Sequence, residues 1–439
     1  MKKNEDFAFC KVFLIGIGGI SMSGLAKLLV SYNVKVAGSD SNFNSQVSEL
    51  EKLSIPVFIG HSADNIDETY DLVVYSGAIR DDNCEIMRAR ELGIKTIERS
   101  EFLGLLSREY SHIIAISGTH GKTTTSTMIA EIFVSAGLNP TIHLGGNSVN
   151  LRSNTIVGDR EYLILEACEY RESFRYLSPE CLCITNIEAD HLDYYHDLES
   201  IRAAFQRFAD RSETLIADDI PINHNQKIPI TDFQIRNLNY NNFGYDFDVC
   251  YENKSYHFRL NMLGEYNVTN ALFAIIISFR YGIDHSVIAE ALADFRGVDR
   301  RLEKIGTINS IPVIIDYAHH PTEIKSCLAG IRSQFQSPLV IFQPHTYSRT
   351  LQLFDQFVEV LATCENLILF DTYPAREKEI IGGRAIDLSN ALDCDYYDDI
   401  DRLIQYMQSL GDEDFDLILV LGAGDMGEKL RNEISHSHD

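Results

Sequence analysis

Short apolar runs, each closed by glycine or a polar cluster and followed by residues with helical spacing, recur along this chain. Residues 11–40 set the pattern: KVFLIGIGGI reads as a strand into a glycine turn, SMSGLAKLLVSYN as a helix, and VKVAGSD as a second strand. That order predicts the opening of a doubly wound parallel α/β domain. Apolar residues 55–59 before Gly60 and His61, and 70–75 before Ser76 and Gly77, extend it. A second α/β pattern starts near His112 with no Pro- or Gly-rich linker, and its strands are expected at 113–116, 162–165 and 181–187. Residues 211–260 are polar, irregular and β-leaning, and no chemistry can be placed there. A third pattern follows the junction around Arg300 and Arg301, with strands expected at 313–316, 339–342, 367–370 and 417–421. The expected fold is α/β in three domains, 1–108, 109–297 and 298–439, the first and last of them Rossmann-like.

The strongest chemical signal is the turn after residue 116. Gly118, Thr119, His120, Gly121, Lys122, Thr123 and Thr124 lead from an apolar strand straight into a helix. Backbone N–H groups in such a turn face phosphates, the lysine ammonium balances their charge, and the next hydroxyl can hold Mg²⁺. The general phosphate-loop pattern would place a glycine where Ile116 stands, so this is a tighter form of it. Glu166, at the tip of a later strand, is where a Mg²⁺ ligand is expected, since a hard cation prefers oxygen donors. His191 ends the next strand, as a ligand or as an ordinary surface histidine, with Glu188 and Asp190 as outer partners. Asn267 and Asn270 share one helical face, as a base-contacting pair would, although capping by Asn267 is the competing reading.

Gly16 and Gly18 fill two positions of a dinucleotide fingerprint, with Ser21 at the third, and Asp40 ends the second strand where an acid commonly meets a ribose or base. From those glycines alone a nicotinamide enzyme would be the default. Four strand ends in the last third carry polar clusters: Asp316 to Pro321, Gln343 to Arg349, Asp371 to Arg376, and Gly422 to Asp425. They would line one sheet edge, a suitable place for a charged substrate.

Bulk properties narrow the classes. A chain of 439 residues is too long for one ordinary core. Its net charge of −26 argues against nucleic-acid binding, while leaving anionic small substrates open where basic residues gather. Nine scattered cysteines without a C-x-x-C spacing suggest neither zinc nor a disulfide framework, and the odd number fits a reducing cytoplasm. The longest apolar run, 271–279, stops at Arg280 and is too short for a bilayer, so no membrane insertion is expected. Lys2 and Lys3 are followed by Glu5 and Asp6 and then by a strand-like run, which does not read as a signal peptide.

Taken together, GIGGISMSGLA, SGTHGKTTT, EACEYRESF, TNIEADHLDYY, GVDRRLE, DYAHHPTEI, FQPHTYSRT and LVLGAGDMG resemble the Mur ligase family over nearly the whole chain. The resemblance implies an ATP-dependent amide ligase of peptidoglycan precursor synthesis, joining an amino acid to the carboxylate of UDP-N-acetylmuramate through an acyl phosphate. In the branch these motifs favour, the amino acid is L-alanine; a recycling ligase that joins a whole peptide is the nearest rival. Gly16, Gly18, Gly19, Ser21, Asp40, His61 and Ser76 would then face UDP-N-acetylmuramate in the first, UDP-binding domain. The central domain, of P-loop ATPase type, would hold ATP on Gly118 to Thr124, Asn267 and Asn270. Mg²⁺, in two sites, would sit on Thr123, Glu166 and His191. Arg300 would complete the ATP site, while Tyr317, His319, Arg349 and Arg376 would serve the substrates as the last domain closes. Lys122, Glu166, His191, His319 and Arg349 would carry the catalysis, in a cytoplasmic monomer or weak homodimer. Sister ligases carry a modified lysine near the metal; residues 200–208 contain none, as in the alanine-adding branch.

Overall fold

A computed structural model describes residues 9–241, 244–332, 334–375, 377–411 and 413–436. The chain forms two compact units, one made of the chain up to 241 with 246–261 and 269–295, the other chiefly of 262–268 and 296 onward. The first two α/β patterns lie together in the first unit.

The first sheet contains β1 (Lys11–Ile15), β2 (Lys35–Asp40), β3 (Val57–Ile59), β4 (Leu72–Tyr75) and β5 (Lys95–Glu98), all parallel, in the order β3-β2-β1-β4-β5. Val12 to Ile15 are fully buried, as expected of a central parallel strand covered on both faces. The order reverses beside β1, which opens a crevice at the carboxyl ends of β1 and β4. The strand expected from 55 shortens to begin at Val57, because Pro56 has no N–H to give a ladder.

The second sheet contains β6 (His112–Ser117), β7 (Thr141–Ser148), β8 (Ser153–Ile156), β9 (Tyr162–Glu166), β10 (Cys181–Ile184), β11 (Thr214–Ala217) and β12 (Lys227–Pro229), in the order β12-β11-β10-β6-β9-β7-β8. Only the β7–β8 pair is antiparallel. Register sets the site: Ile116 lies opposite Glu166 on one side of β6, and Ser117 opposite Ile184 on the other. A shared apolar layer joins this sheet to the first through Leu25, Leu103, Phe174 and Leu182.

Within residues 211–260, expected to be irregular but β-leaning, 234–260 form a regular three-stranded sheet of β13 (Gln234–Asn241), β14 (Gly244–Tyr251) and β15 (Lys254–Leu260). Its alternation was masked by outward acids. Asp246 pairs with Arg259 at 2.9 Å and Asp248 with His257 at 2.9 Å, while Phe247 and Phe258 are buried.

In the second unit, β16 (Glu303–Ile308), β17 (Ile311–Asp316), β18 (Pro338–Phe342), β19 (Asn366–Phe370), β20 (Asp395–Tyr397) and β21 (Leu417–Leu421) run in the order β16-β17-β21-β18-β19-β20. All pairs but β16–β17 are parallel. An apolar layer covers each face, so the carboxyl edge is where polar side chains collect.

Candidate active site

The turn after β6 takes backbone shapes that side chains resist. Gly118 has φ +131° and Gly121 φ +82°, and a Cβ on Gly118 would fall 2.1 Å from Thr185 Oγ1. The strand expected to run to 187 ends at Ile184, because Thr185 and Asn186 turn to hold this loop instead. Asn186 Oδ1 accepts from His120 N at 2.9 Å, Asn186 O accepts from Thr119 N at 3.1 Å, and Thr185 Oγ1 donates to His120 O at 2.6 Å. His120 Nε2 lies 3.5 Å from Glu188 Oε2. Gly121 is the N-cap of helix Lys122–Ser135 and offers no side-chain cap. The helix start therefore presents its N–H groups and positive dipole end, the elements of a phosphate cradle. Asn270 Oδ1 accepts from Thr125 Oγ1 at 3.3 Å, and a Cβ on Gly121 would approach it to 2.5 Å. Asn267 sits inside the first turn of its helix, donating to Leu263 O at 2.7 Å, so it is not the N-cap.

Lys122 folds back over the loop. Its ammonium donates to Gly118 O at 2.5 Å and Thr119 O at 3.0 Å, and lies 2.9 Å from Glu169 Oε2. Burial works against the charged lysine, but the carboxylates of Glu169 and Glu166 outweigh it and hold its pKa above the ordinary value. Thr123 Oγ1 donates to Glu166 Oε2 at 2.7 Å, and Gly145 N to the same oxygen at 3.2 Å.

The residues proposed for metal fall into two groups. Thr123 meets Glu166, while His191 meets Glu169 at 3.7 Å and Asp190 at 3.8 Å. Among the described residues, Glu169, Asp190 and His191 bring their ligand atoms within 4.8 Å of one another. Glu169 Oε2 is buried without a hydrogen bond in acceptable geometry, despite the nearby ammonium. An under-satisfied carboxylate oxygen beside an imidazole and a second carboxylate suits a divalent cation. The backbone around the cluster is strained: Arg171, Glu172 and His191 all have φ near +52°, at 53°, 52° and 52°. Glu169 is the residue that sequence reasoning passed over. It lies three beyond Glu166, and only the 3₁₀ turn at Tyr170–Tyr176 shows which acid faces Lys122.

At the carboxyl edge of the first sheet, Asp40 Oδ2 accepts from Gly18 N at 2.9 Å, and Gly19 N donates to Gly16 O at 3.1 Å. Gly16, at φ +80°, lies against Ser76. His61 Nδ1 is 2.7 Å from the fully buried Glu85, which also accepts from Ser39 Oγ at 2.7 Å. Ser21 Oγ meets His143 Nε2 at 2.8 Å and accepts from Arg99 at 3.1 Å.

In the second unit, His319 and Arg349 meet at His345, a residue of the FQPHTYSRT stretch, and Tyr317 packs its ring on His319. The His319 and His345 rings are 5.8 Å apart, and Arg349 lies 3.3 Å from His345 Nδ1. Tyr317 O is 2.9 Å from His319 Nδ1. Burial lowers the pKa of His319, and burial with the neighbouring His319 and Arg349 lowers that of His345 to about 4, so both rings are neutral near pH 7. Arg300 adjoins this cluster through its carbonyl, which accepts from Tyr317 N at 2.7 Å, while its guanidinium donates to Gly424 O at 3.0 Å. Arg376 lies outside the described residues.

Three family models match in succession: "Mur ligase family, catalytic domain" over residues 11–111, "Mur ligase middle domain" over 116–278 and "Mur ligase, glutamate ligase domain" over 300–424. The UDP-N-acetylmuramate–L-alanine ligase of Clostridium tetani is 42% identical, covering 95% of this chain and 96% of its own. The crystal structure of a UDP-N-acetylmuramate–alanine ligase from Thermotoga maritima superposes with a TM-score of 0.82 at 29% identity, covering 98% of this chain and 100% of its own. A murein peptide ligase from Psychrobacter arcticus shares the fold, with a TM-score of 0.71 at 23% identity over 98% of both chains.

Proposed function

The chain belongs to the Mur ligase family, and we propose that it joins L-alanine to the lactyl carboxylate of UDP-N-acetylmuramate, driven by ATP. The observation that carries the chemistry is the register that sets Glu166 beside the phosphate turn, with Thr123 Oγ1 2.7 Å from its carboxylate. The choice of L-alanine rests on the relatives named for that reaction. The peptide-joining reading has only the shared fold on its side.

A carboxylate resists an amine because its charge repels attack and oxide is a hopeless leaving group. Transfer of the ATP γ-phosphoryl group to a carboxylate oxygen, with release of ADP, creates an acyl phosphate. The L-alanine nitrogen adds to the acyl carbon, loses a proton, and expels phosphate from the tetrahedral intermediate. Gly118, Thr119, His120, Gly121, Lys122, Thr123 and Thr124 hold the phosphates, and Lys122 is within reach of them by leaving Glu169. Asn267 and Asn270 take the adenine, and Arg300 assists on ATP. Thr123 and Glu166 would hold one Mg²⁺ and Glu169, Asp190 and His191 a second, which would supply charge neutralisation at the phosphoryl oxygens. Gly16, Gly18, Gly19, Ser21, Asp40, His61 and Ser76 take the UDP-sugar acid in domain 1–108. Domain 109–297 is the ATPase, and 298–439 brings Tyr317, His319 and Arg349 to the amino acid. No helix among the described residues is long and apolar enough to cross a membrane.

Phosphate release that requires UDP-N-acetylmuramate and L-alanine together is the expected result. Release with a tripeptide but not with L-alanine would reassign the protein to the recycling reaction, and a nicotinamide absorbance change would end the ligase reading.

A further inference from the structure

Arg99 sits at an unusual place in the first unit. It follows directly on β5 as the first residue of helix Arg99–Ser107, at the same carboxyl edge as Gly16, Asp40 and Ser76. It also borders a small cavity with Glu166, Cys168 and Ser173, residues of the β9 strand end and the turn after it. Arg99 thus stands between the crevice of the first sheet and the carboxylate beside the phosphate turn.

Its hydrogen bonding is one-sided. A guanidinium can only donate, so Ser21 Oγ accepts from Arg99 Nη1, at 3.1 Å. The Ser21 hydroxyl proton is then directed to His143 Nε2 at 2.8 Å, and His143 Nδ1–H to Thr155 Oγ1 at 3.3 Å. His143 is buried, and burial together with Arg99 lowers its pKa to about 3, so the ring is neutral and able to accept. This chain fixes one edge of the guanidinium. Among the described residues no carboxylate forms an ion pair with Arg99, in a protein whose net charge is −26. A partly buried arginine held by a neutral serine, with no carboxylate paired to it among the described residues, is arranged for an anion supplied from outside.

We propose that Arg99 is a substrate-binding residue that takes an anionic oxygen of the UDP-sugar acid, with Ser21 and His143 as the residues that position it. The assignment rests on the function proposed above. Two oxygens of the same ligand have this chemistry, the diphosphate and the lactyl carboxylate, and UDP-N-acetylglucosamine, which lacks the carboxylate, separates them.

The test is calorimetric titration of full-length wild type, Arg99→Ala and Arg99→Lys with UDP-N-acetylmuramate, UDP-N-acetylglucosamine and Mg-ATP. Arg99→Ala is expected to weaken UDP-N-acetylmuramate at least tenfold while leaving Mg-ATP unchanged, and Arg99→Lys to recover part of the loss. A matching loss for UDP-N-acetylglucosamine assigns the contact to the diphosphate; a loss confined to UDP-N-acetylmuramate assigns it to the carboxylate. Unchanged UDP-N-acetylmuramate affinity in both variants overturns the proposal, as does equal weakening of Mg-ATP, which would mark Arg99 as structural. Wild type that fails to bind UDP-N-acetylmuramate at all would instead overturn the functional reading. Should Arg99→Ala not fold, the comparison of Arg99→Lys with wild type decides by the same criteria.

Discussion

Lys122 and Glu169 form a nearly buried ion pair, with Nζ 2.9 Å from Oε2 and only 13% and 4% of their side chains exposed. The lysine proposed to meet incoming phosphates is thus paired from within, and the same carboxylate belongs to the candidate cation cluster. Removing one partner strands the other charge, which costs more than removing both. Lys122→Met is expected to abolish phosphate release and to destabilise the protein by about 3 kcal/mol. Lys122→Met with Glu169→Gln should regain most of that stability without activity. Denaturant titrations of the single and double variants measure this, and equal stability for both would show that the pair contributes nothing.

Glu166 accepts from Thr123 and Gly145 and sits where a cation on the phosphates would be held. Glu166→Gln keeps the shape but removes the negative charge that a hard cation prefers. The Mg²⁺ concentration for half-maximal phosphate release should rise about tenfold, an order set by the loss of one ligand charge. An unchanged Mg²⁺ titration would remove Glu166 from the metal site.

Gly121 combines φ +82° with the close approach of Asn270. Gly121→Ala is expected to cost roughly 1–3 kcal/mol in backbone strain, and to weaken Mg-ATP more than UDP-N-acetylmuramate. Gly137, also at positive φ but with nothing within 4 Å, is the control: alanine there strains the backbone without touching the nucleotide site. Equal nucleotide binding by the two variants would contradict the placement of ATP.

His143 gives the first unit a pH dependence of definite sign. Folded, its pKa is about 3; unfolded, it is near the ordinary 6.5. The unfolded chain therefore binds the proton first, and stability present above pH 6.5 falls as the pH drops through the window toward 3. By pH 5 the loss from this group is on the order of 2 kcal/mol. His143→Gln should flatten the decline of melting temperature between pH 7 and pH 5; an unaltered slope would assign the acid sensitivity to other groups.

How much of this could be read without coordinates differs from residue to residue. Short-range chemistry was legible: Gly118, Gly121, Lys122 and Thr123 declare their turn because glycine, lysine and hydroxyl act within one loop and one helix start. The three α/β patterns were legible for the same reason, since strand and helix periodicities are local. What the sequence could not rank was Glu166 against Glu169, because both follow the same strand and only the turn at Tyr170–Tyr176 aims one at Lys122 and the other at Thr123. The alternation of β14 was hidden by Asp246 and Asp248, whose partners stand on another strand. Ser21, Arg99 and His143 lie 78 and 122 residues apart along the chain from Ser21. Their meeting depends on the order of strands in two sheets. The chain by itself determined its strand and helix patterns and the residues of the turn after β6; which charges meet was decided only by the order of strands and the turns between them, because Coulomb and hydrogen-bond energies depend on distance in space and not on separation in sequence.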